Sequence, residues 1–483
     1  MEEEALSREN GTTYEIVGPQ SLGQVLIQSL GVELPSSLEN EELANVDEAA
    51  CANYLDWYQK MSEAAPFAYQ LRTTNVDLLL AESPMLLLSI IVTASSSDEK
   101  VQRQADRAFL QVFAARVVFN GEKRMEIFQS LLTYLNWYHL RFDSQKQQFY
   151  QFMQLANGMA ADLALPRLFA QSTGMSVMTA QTIEKARAFL QCYYLNVGGN
   201  ALGFDRPETL RCPQSLIVAA EVLARGRQFP HDQNAPAFLE LMVIASQHQE
   251  GMRNSEDDAR CLGMLQNLEN SLCGWETKVM PSHTQSILAP TYHFIKAYTF
   301  LKSKYLRRPG SHVLGVGLEA CQAVLTHILE KGSSHLVKLC IVEWAHLITT
   351  LFILPWLEIS AMLDHPTDSA DVQTPSTLHF ISAFRTTLLD LRLQSEKEMI
   401  LQANTLSGWL ETILTAVETR ASVLTGRLSN PANEEETAFE LVNSFLNKED
   451  GGSYQSFEMS GQTGACNSKE DWWLDFMSEW LDW

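Results

Sequence analysis

Phe149-Tyr150-Gln151-Phe152-Met153-Gln154-Leu155-Ala156-Asn157-Gly158-Met159-Ala160-Ala161-Asp162-Leu163-Ala164-Leu165-Pro166 is the stretch from which the fold is read. Its apolar residues recur at 149, 152, 153, 156, 159, 160 and 163. Steps of three and four place them on one face of a helix, where a strand would need alternation. Proline lacks an amide hydrogen and its ring crowds the preceding turn, so the helix is predicted to stop at Pro166. Phe128, Leu131, Leu132, Leu135 and Tyr138 repeat the pattern upstream. By the same spacing, helices are predicted at about 41–63, 75–95, 99–119, 180–197, 214–226, 235–250, 256–273, 283–305, 313–330, 335–363 and 376–427. Strand-like alternation is scarce and no fixed-period repeat stands out. The expected fold class is all-α.

Turn residues mark the breaks. Gly198-Gly199-Asn200 is read as ending one helix and opening a loop, and Arg308-Pro309-Gly310 as another break. A polar loop begins at His365-Pro366-Thr367-Asp368-Ser369, and from Asn430-Pro431 onward the apolar period dissolves. Three parts follow: an acidic, flexible N-terminus over 1–40, a helical body over 41–430, and an acidic flexible tail over 431–483.

Charge sharpens this division. The 483 residues carry 58 acids and 35 bases, a net −23. Residues 1–50 hold 11 acids against Arg8, and residues 431–483 hold 12 acids against Lys448 and Lys469. The body between is close to neutral, so the acidity belongs to appendages. With 46% hydrophobic residues the body has enough apolar surface for a large core. The opening Met1-Glu2-Glu3-Glu4 lacks the basic and apolar regions of a secretory signal. The apolar stretches Met85–Ala94 and Leu351–Leu357 are about half of the roughly 20 residues a bilayer requires, so no membrane association is expected. The eight cysteines form no C-x-x-C pair, which favours reduced thiols over a disulfide framework or a structural zinc site.

Signatures of chemistry are missing: the sequence holds no G-x-x-x-x-G-K-[ST], H-E-x-x-H or G-x-S-x-G. Gly315-Val316-Gly317-Leu318-Glu319-Ala320 matches a loose dinucleotide pattern, but a turn, not a strand, precedes it. Asn254-Ser255-Glu256-Asp257-Asp258 lacks the further carboxylate a shared magnesium would need on the same helix face. The densest positive cluster is Lys302, Lys304, Arg307 and Arg308, read as a helix end with favourable C-terminal charge, with a nuclear-import or phosphate patch as the alternative. No catalytic residue, metal ligand or cofactor is assigned, and no enzyme is expected.

Three stretches of the body carry a likeness. The first runs from Trp57-Tyr58 through the Pro66-Phe67 turn to Ser83-Pro84-Met85-Leu86-Leu87-Leu88. The second pairs Leu131-Leu132-Thr133-Tyr134-Leu135-Asn136-Trp137-Tyr138 with Met159-Ala160-Ala161-Asp162-Leu163-Ala164-Leu165. The third holds Arg187, Phe189, Cys192-Tyr193-Tyr194-Leu195-Asn196 and Arg206-Pro207. In this order they resemble the middle homology regulatory domain of fungal zinc-binuclear-cluster transcription factors. The family patterns are S/R-P-x-L-L, A-x-x-M-A-x-D-L-G-L and R-x-F-W-x-x-Y-x-L-D with a later G-R-P. The resemblance covers roughly residues 50–427, with Pro84, Asp162, Arg187, Tyr194, Arg206 and Pro207 as its structural signature residues. Leu190, Asn196 and Asp205 depart from the pattern, where Trp, Asp and Gly are usual.

The family begins with six paired cysteines that bind two zinc ions. Here the residues before Cys51 contain no cysteine and one base. That stretch is not expected to hold zinc in the family's manner, and its charge would repel DNA. The resemblance therefore implies a nuclear transcription regulator of a fungal metabolic or secondary-metabolite pathway whose DNA contact is indirect. Its implied partners are a second copy, or a zinc-cluster factor with which it heterodimerises.

The tail supplies an effector candidate from physics alone. At about 100° per residue, Asp471, Asp475, Glu479 and Asp482 fall within about 80° of a helical projection. Trp472, Trp473, Phe476, Met477, Trp480, Leu481 and Trp483 take the other side. The acids keep the aromatics in water, and a coactivator groove that accepts Trp and Phe anchors would fold the segment. The alternatives are a terminal helix docked on the protein's own body, a non-activating ligand-sensing or heterodimerising co-regulator, and an all-α enzyme of secondary metabolism.

Overall fold

The computed structural model describes residues 21–31, 41–141, 147–170, 179–203, 209–211, 213–253, 258–279, 285–302, 311–364, 376–398, 408, 410–419 and 421–422. Among them the chain forms eighteen α-helices and no strand, so the protein is all-α as the apolar spacing predicts. The first seven are α1 (Leu22–Ser29), α2 (Glu41–Ala44), α3 (Glu48–Ala64), α4 (Val76–Glu82), α5 (Pro84–Ala94), α6 (Glu99–Phe113) and α7 (Met125–Asn136). Next come α8 (Phe149–Asp162), α9 (Leu165–Ala170), α10 (Ala180–Tyr194), α11 (Pro213–Gly226), α12 (Ala235–Arg253) and α13 (Asp258–Val279). The last are α14 (Gln285–Lys302), α15 (Ser311–Glu330), α16 (Ser333–Leu336), α17 (Ile341–Asp364) and α18 (Thr377–Glu398). Ala114–Phe119 and Leu195–Gly203 are π-helical.

Local chemistry starts these helices. Asp47, Asp98 and Thr179 cap α3, α6 and α10 by accepting amide hydrogens of the first turn. Helix α5 has Pro84 at its start and no side-chain bond from Ser83. Glu126 of α7 serves instead: its buried carboxylate accepts the Met85 amide at 3.0 Å and lies 3.4 Å from Arg124. Every residue of α5 from Met85 to Ala94 is buried, and α3, α6 and α7 pack around it. One hydrophobic core runs from Leu26 to Val417 and joins this first group to α14, α15 and α17.

Several predicted boundaries move. The 75–95 helix divides at Ser83-Pro84, because proline starts a helix as readily as it breaks one. Pro166 likewise sits in the first turn of α9, while α8 ends at Asp162. The segment 99–119 turns π-helical after Phe113, and the 335–363 segment is two helices, α16 and α17. Within 376–427, α18 ends at Glu398 and residues 410–419 are helical again. Gly198-Gly199 does not end the helix: the chain continues in π form to Gly203. Within the acidic stretch 1–40, residues 22–29 form α1, held by a reciprocal Ser21–Gln24 capping box and buried Leu26. The run Gly315–Ala320 lies inside α15.

The apolar run at 351–357 lies within a longer one. Ile341–Ile359 of α17 is long and apolar enough to cross a membrane, although Glu343, His346 and Glu358 interrupt it. Most of that window is buried inside the protein, where α14, α15 and the second π-helix take up its apolar surface.

Ala164, between α8 and α9, has a φ of 55°, in the left-handed region. The family pattern carries glycine there. Left-handed geometry costs an L-residue about 1–2 kcal/mol, and glycine's extra chain entropy costs about 0.5–1 kcal/mol. Ala164→Gly is therefore expected to raise the unfolding free energy by about 0.5–1 kcal/mol. A urea-unfolding midpoint below that of the parent would contradict this reading.

Candidate functional site

The Pro66-Phe67 turn lines a cleft of about 320 Å³. The end of α3, the turn after it, α10, α11 and the start of α12 all contribute lining residues. The connection between α11 and α12, Phe229 to Asn234, closes one side. Two strained residues border this region: Phe67 has a φ of 56° and Arg227 a φ of 44°.

Aromatic rings build the apolar part. Phe67 and Phe238 meet edge to face at 5.3 Å between centroids, and Tyr194 lies behind both, 6.2 Å from Phe67 and 5.5 Å from Phe238. The Tyr194 hydroxyl is 3.7 Å from the Cys340 sulfur, and burial pushes both groups well above their ordinary pKa.

The polar floor is an ion pair. Arg187, on α10, reaches Asp232 through Nη2, at 2.8 Å from Oδ1 and 2.9 Å from Oδ2. Their side chains are only 8% and 2% exposed, so the pair is held almost wholly out of water. Asp232 also accepts the Phe229 amide hydrogen at 2.9 Å, while its own amide donates to the Phe229 carbonyl at 3.1 Å. This reciprocal turn brings the Phe229 ring against the guanidinium, 4.8 Å from Cζ to ring centroid. Nε and Nη1 of Arg187 make no hydrogen bond to the described residues.

A second pair frames the first. Arg72 Nε is 2.5 Å from Glu184 Oε1, and its Nη2 donates to the Ala180 carbonyl at 3.1 Å. Burial pushes the Glu184 carboxyl up, and Arg72 draws it partly back. Behind Arg187 lies a cavity of about 10 Å³ lined by Tyr69, Gln70, Gln129 and Gln191 among others. It has room for about one water molecule. Gln191 Nε2 is buried there without a hydrogen-bond partner.

The signature residues fall in different places. Arg187 lines the cleft together with the Pro66-Phe67 turn, and Tyr194 packs on the Phe67 ring, although 120 positions separate Phe67 from Arg187 in the sequence. Pro84 starts α5, and Asp162 forms a surface pair with Lys123 at 3.3 Å, both away from the cleft. Arg206, Pro207 and the tail residues Trp472, Trp473, Phe476, Met477, Trp480, Leu481 and Trp483 lie outside the described residues. So do most of the basic cluster at 302–308 and most of the acidic run 254–258.

Asp232, Phe229 and Phe238 were not singled out from sequence. In Phe229-Pro230-His231-Asp232-Gln233-Asn234 an acid before a helix reads as an ordinary capping residue. Its partner lies 45 residues earlier.

The cleft has the parts of a binding site. The thiols of Cys51, Cys192, Cys321 and Cys340 are buried and free, and burial raises their pKa, to about 12 for Cys51. This disfavours the nucleophilic thiolate. Among the described residues no group of three or more His, Cys, Asp or Glu side chains is placed to hold a metal ion.

Two curated fungal proteins match part of the chain. Transcription factor opdL of Penicillium oxalicum is 23% identical over 239 residues, covering 45% of this chain and 41% of that protein. Transcription factor himD of Aspergillus japonicus is 25% identical over 283 residues, covering 55% of this chain and 46% of that protein. The chain is similar to fungal transcription factors. The matched stretch spans less than half the length of either relative. No protein-family model matches the chain, and no solved structure matches it.

Proposed function

We propose that this chain is a nuclear transcription regulator of a fungal metabolic or secondary-metabolite pathway. The helical body is its regulatory part, and the acidic–aromatic segment at 470–483 is its activation segment. DNA is reached through a partner, either a second copy or a zinc-cluster factor. The observation that carries this reading is the similarity to two fungal proteins named as transcription factors. The meeting of Phe67 and Arg187 at one cleft, with Tyr194 packed on Phe67, supports a regulatory body, because residues from separate stretches of the resemblance build one binding feature.

Residues 431–483 tethered to an unrelated DNA-binding domain are expected to activate a reporter. Loss of both Trp473 and Trp480 to alanine is expected to reduce that activation by about tenfold or more, as loss of aromatic anchors does at a coactivator groove. Full activity in the double variant would sink the activation reading. A tethered segment that is silent, with a zinc-cluster factor co-purifying with the full chain, would favour the non-activating co-regulator, a reading to which the cleft also lends itself.

A further inference from the structure

We propose that the cleft around Arg187 binds a neutral, flat aromatic molecule of about three fused rings that carries a hydrogen-bond-accepting oxygen. As a regulatory input this rests on the reading of the chain as a transcription regulator; the binding itself stands or falls without that reading.

Size, shape and charge each narrow the ligand. A volume of about 320 Å³ lies at the small end of ligand cavities, which run from about 300 to 1,000 Å³. Phe67, Phe229 and Phe238, with Pro66, line it with flat apolar surface. Aromatic side chains favour a ring laid in offset or edge-to-face contact.

Arg187 fixes the polar end of the ligand. Its guanidinium is nine-tenths buried, lines the cleft, and spends only Nη2 on Asp232. Nε and Nη1 make no hydrogen bond to the described residues, so the guanidinium keeps unused donor capacity. An oxygen acceptor on the ligand would satisfy it.

The surrounding charge excludes ions of either sign. Arg187 is neutralised by Asp232, and Arg72 by Glu184, while Glu63 adds a carboxylate at the exposed rim. An anionic ligand would meet Asp232 and Glu63, and a cationic one would be driven against Arg187. A neutral carbonyl meets neither penalty.

Equilibrium dialysis of the purified full chain against three probes tests this. Xanthone supplies the flat rings and a carbonyl, 9H-xanthene the same rings without it, and xanthone-2-carboxylate adds a negative charge. Xanthone is expected to bind saturably with one molecule per chain, and each of the other two at least tenfold more weakly. Asn234→Trp, at a half-buried lining position, is expected to abolish xanthone binding with the circular dichroism spectrum unchanged. Should that variant not fold, a diazirine-bearing xanthone mapped on the parent chain replaces it. Its crosslinks are expected within 63–70 and 229–238. Absence of saturable binding, equal binding of xanthene, or crosslinks confined to other segments would overturn the proposal. A silent reporter alongside normal xanthone binding would overturn the activation reading alone.

Discussion

Asp232→Ala is expected to lower the unfolding free energy by about 3–5 kcal/mol. The pair it breaks is almost wholly buried, so Arg187 would keep its charge without a partner in a low-dielectric site. The Phe229 amide would lose its acceptor as well, and the turn that seats the Phe229 ring on Arg187 would loosen. Replacing both partners removes the stranded charge. The double variant Arg187→Met with Asp232→Leu is expected to recover most of the loss, since apolar side chains of similar size often substitute for a buried pair at little cost. Urea unfolding of the parent, both singles and the double closes the cycle. An Asp232→Ala loss under about 1 kcal/mol would place the pair with exposed salt bridges and remove its role as the floor of the cleft.

The second large effect is expected at Gly198. A Cβ there would lie 2.4 Å from Val342 Cγ1, and one at Gly199 would lie 2.8 Å from two carbons of the Phe149 ring. Both neighbours are fully buried, so neither side chain can swing aside. The second π-helix therefore touches α17 and α8 through glycine backbone. Gly198→Ala is expected to cost about 1–3 kcal/mol by overpacking. Val342→Ala removes the obstructing methyl groups and costs stability of its own. The double variant is expected to lose less than the sum of the two single losses by about 1 kcal/mol or more, measured by chemical denaturation. Strict additivity would mean that the two residues do not share this contact.

Much of the architecture was readable because helices advertise themselves by period. The helix predicted from Phe149 to Pro166 is present from Phe149, and its inward residues Phe149, Met153, Ala156 and Ala160 are buried. Punctuation was harder to read. Proline and glycine read locally as stops, yet Pro84 and Pro166 begin helices and Gly198-Gly199 allows close packing inside one. A turn residue states what the backbone permits, and the neighbouring element decides the use made of it.

The cleft was half legible. Pro66, Phe67, Arg187 and Tyr194 were marked by their place in the resemblance. Asp232, Phe229 and Phe238 carried no signal, because an ion pair between a helix and a distant connection leaves no local period. The tail segment remains a reading of its amphipathic sequence.

Chain order shields α17 during synthesis. This helix could be mistaken for a membrane span while it stands alone. The ribosome delivers residues from the N-terminus at about 5–20 per second, and earlier elements collapse first. The elements that cover α17 most extensively, α14, α15 and the second π-helix, all precede it in the chain, and α18, which follows it, covers it less. Its apolar surface therefore emerges onto a scaffold already made. A circular permutation that placed α17 ahead of α14 and α15 would keep every native contact and lose that protection.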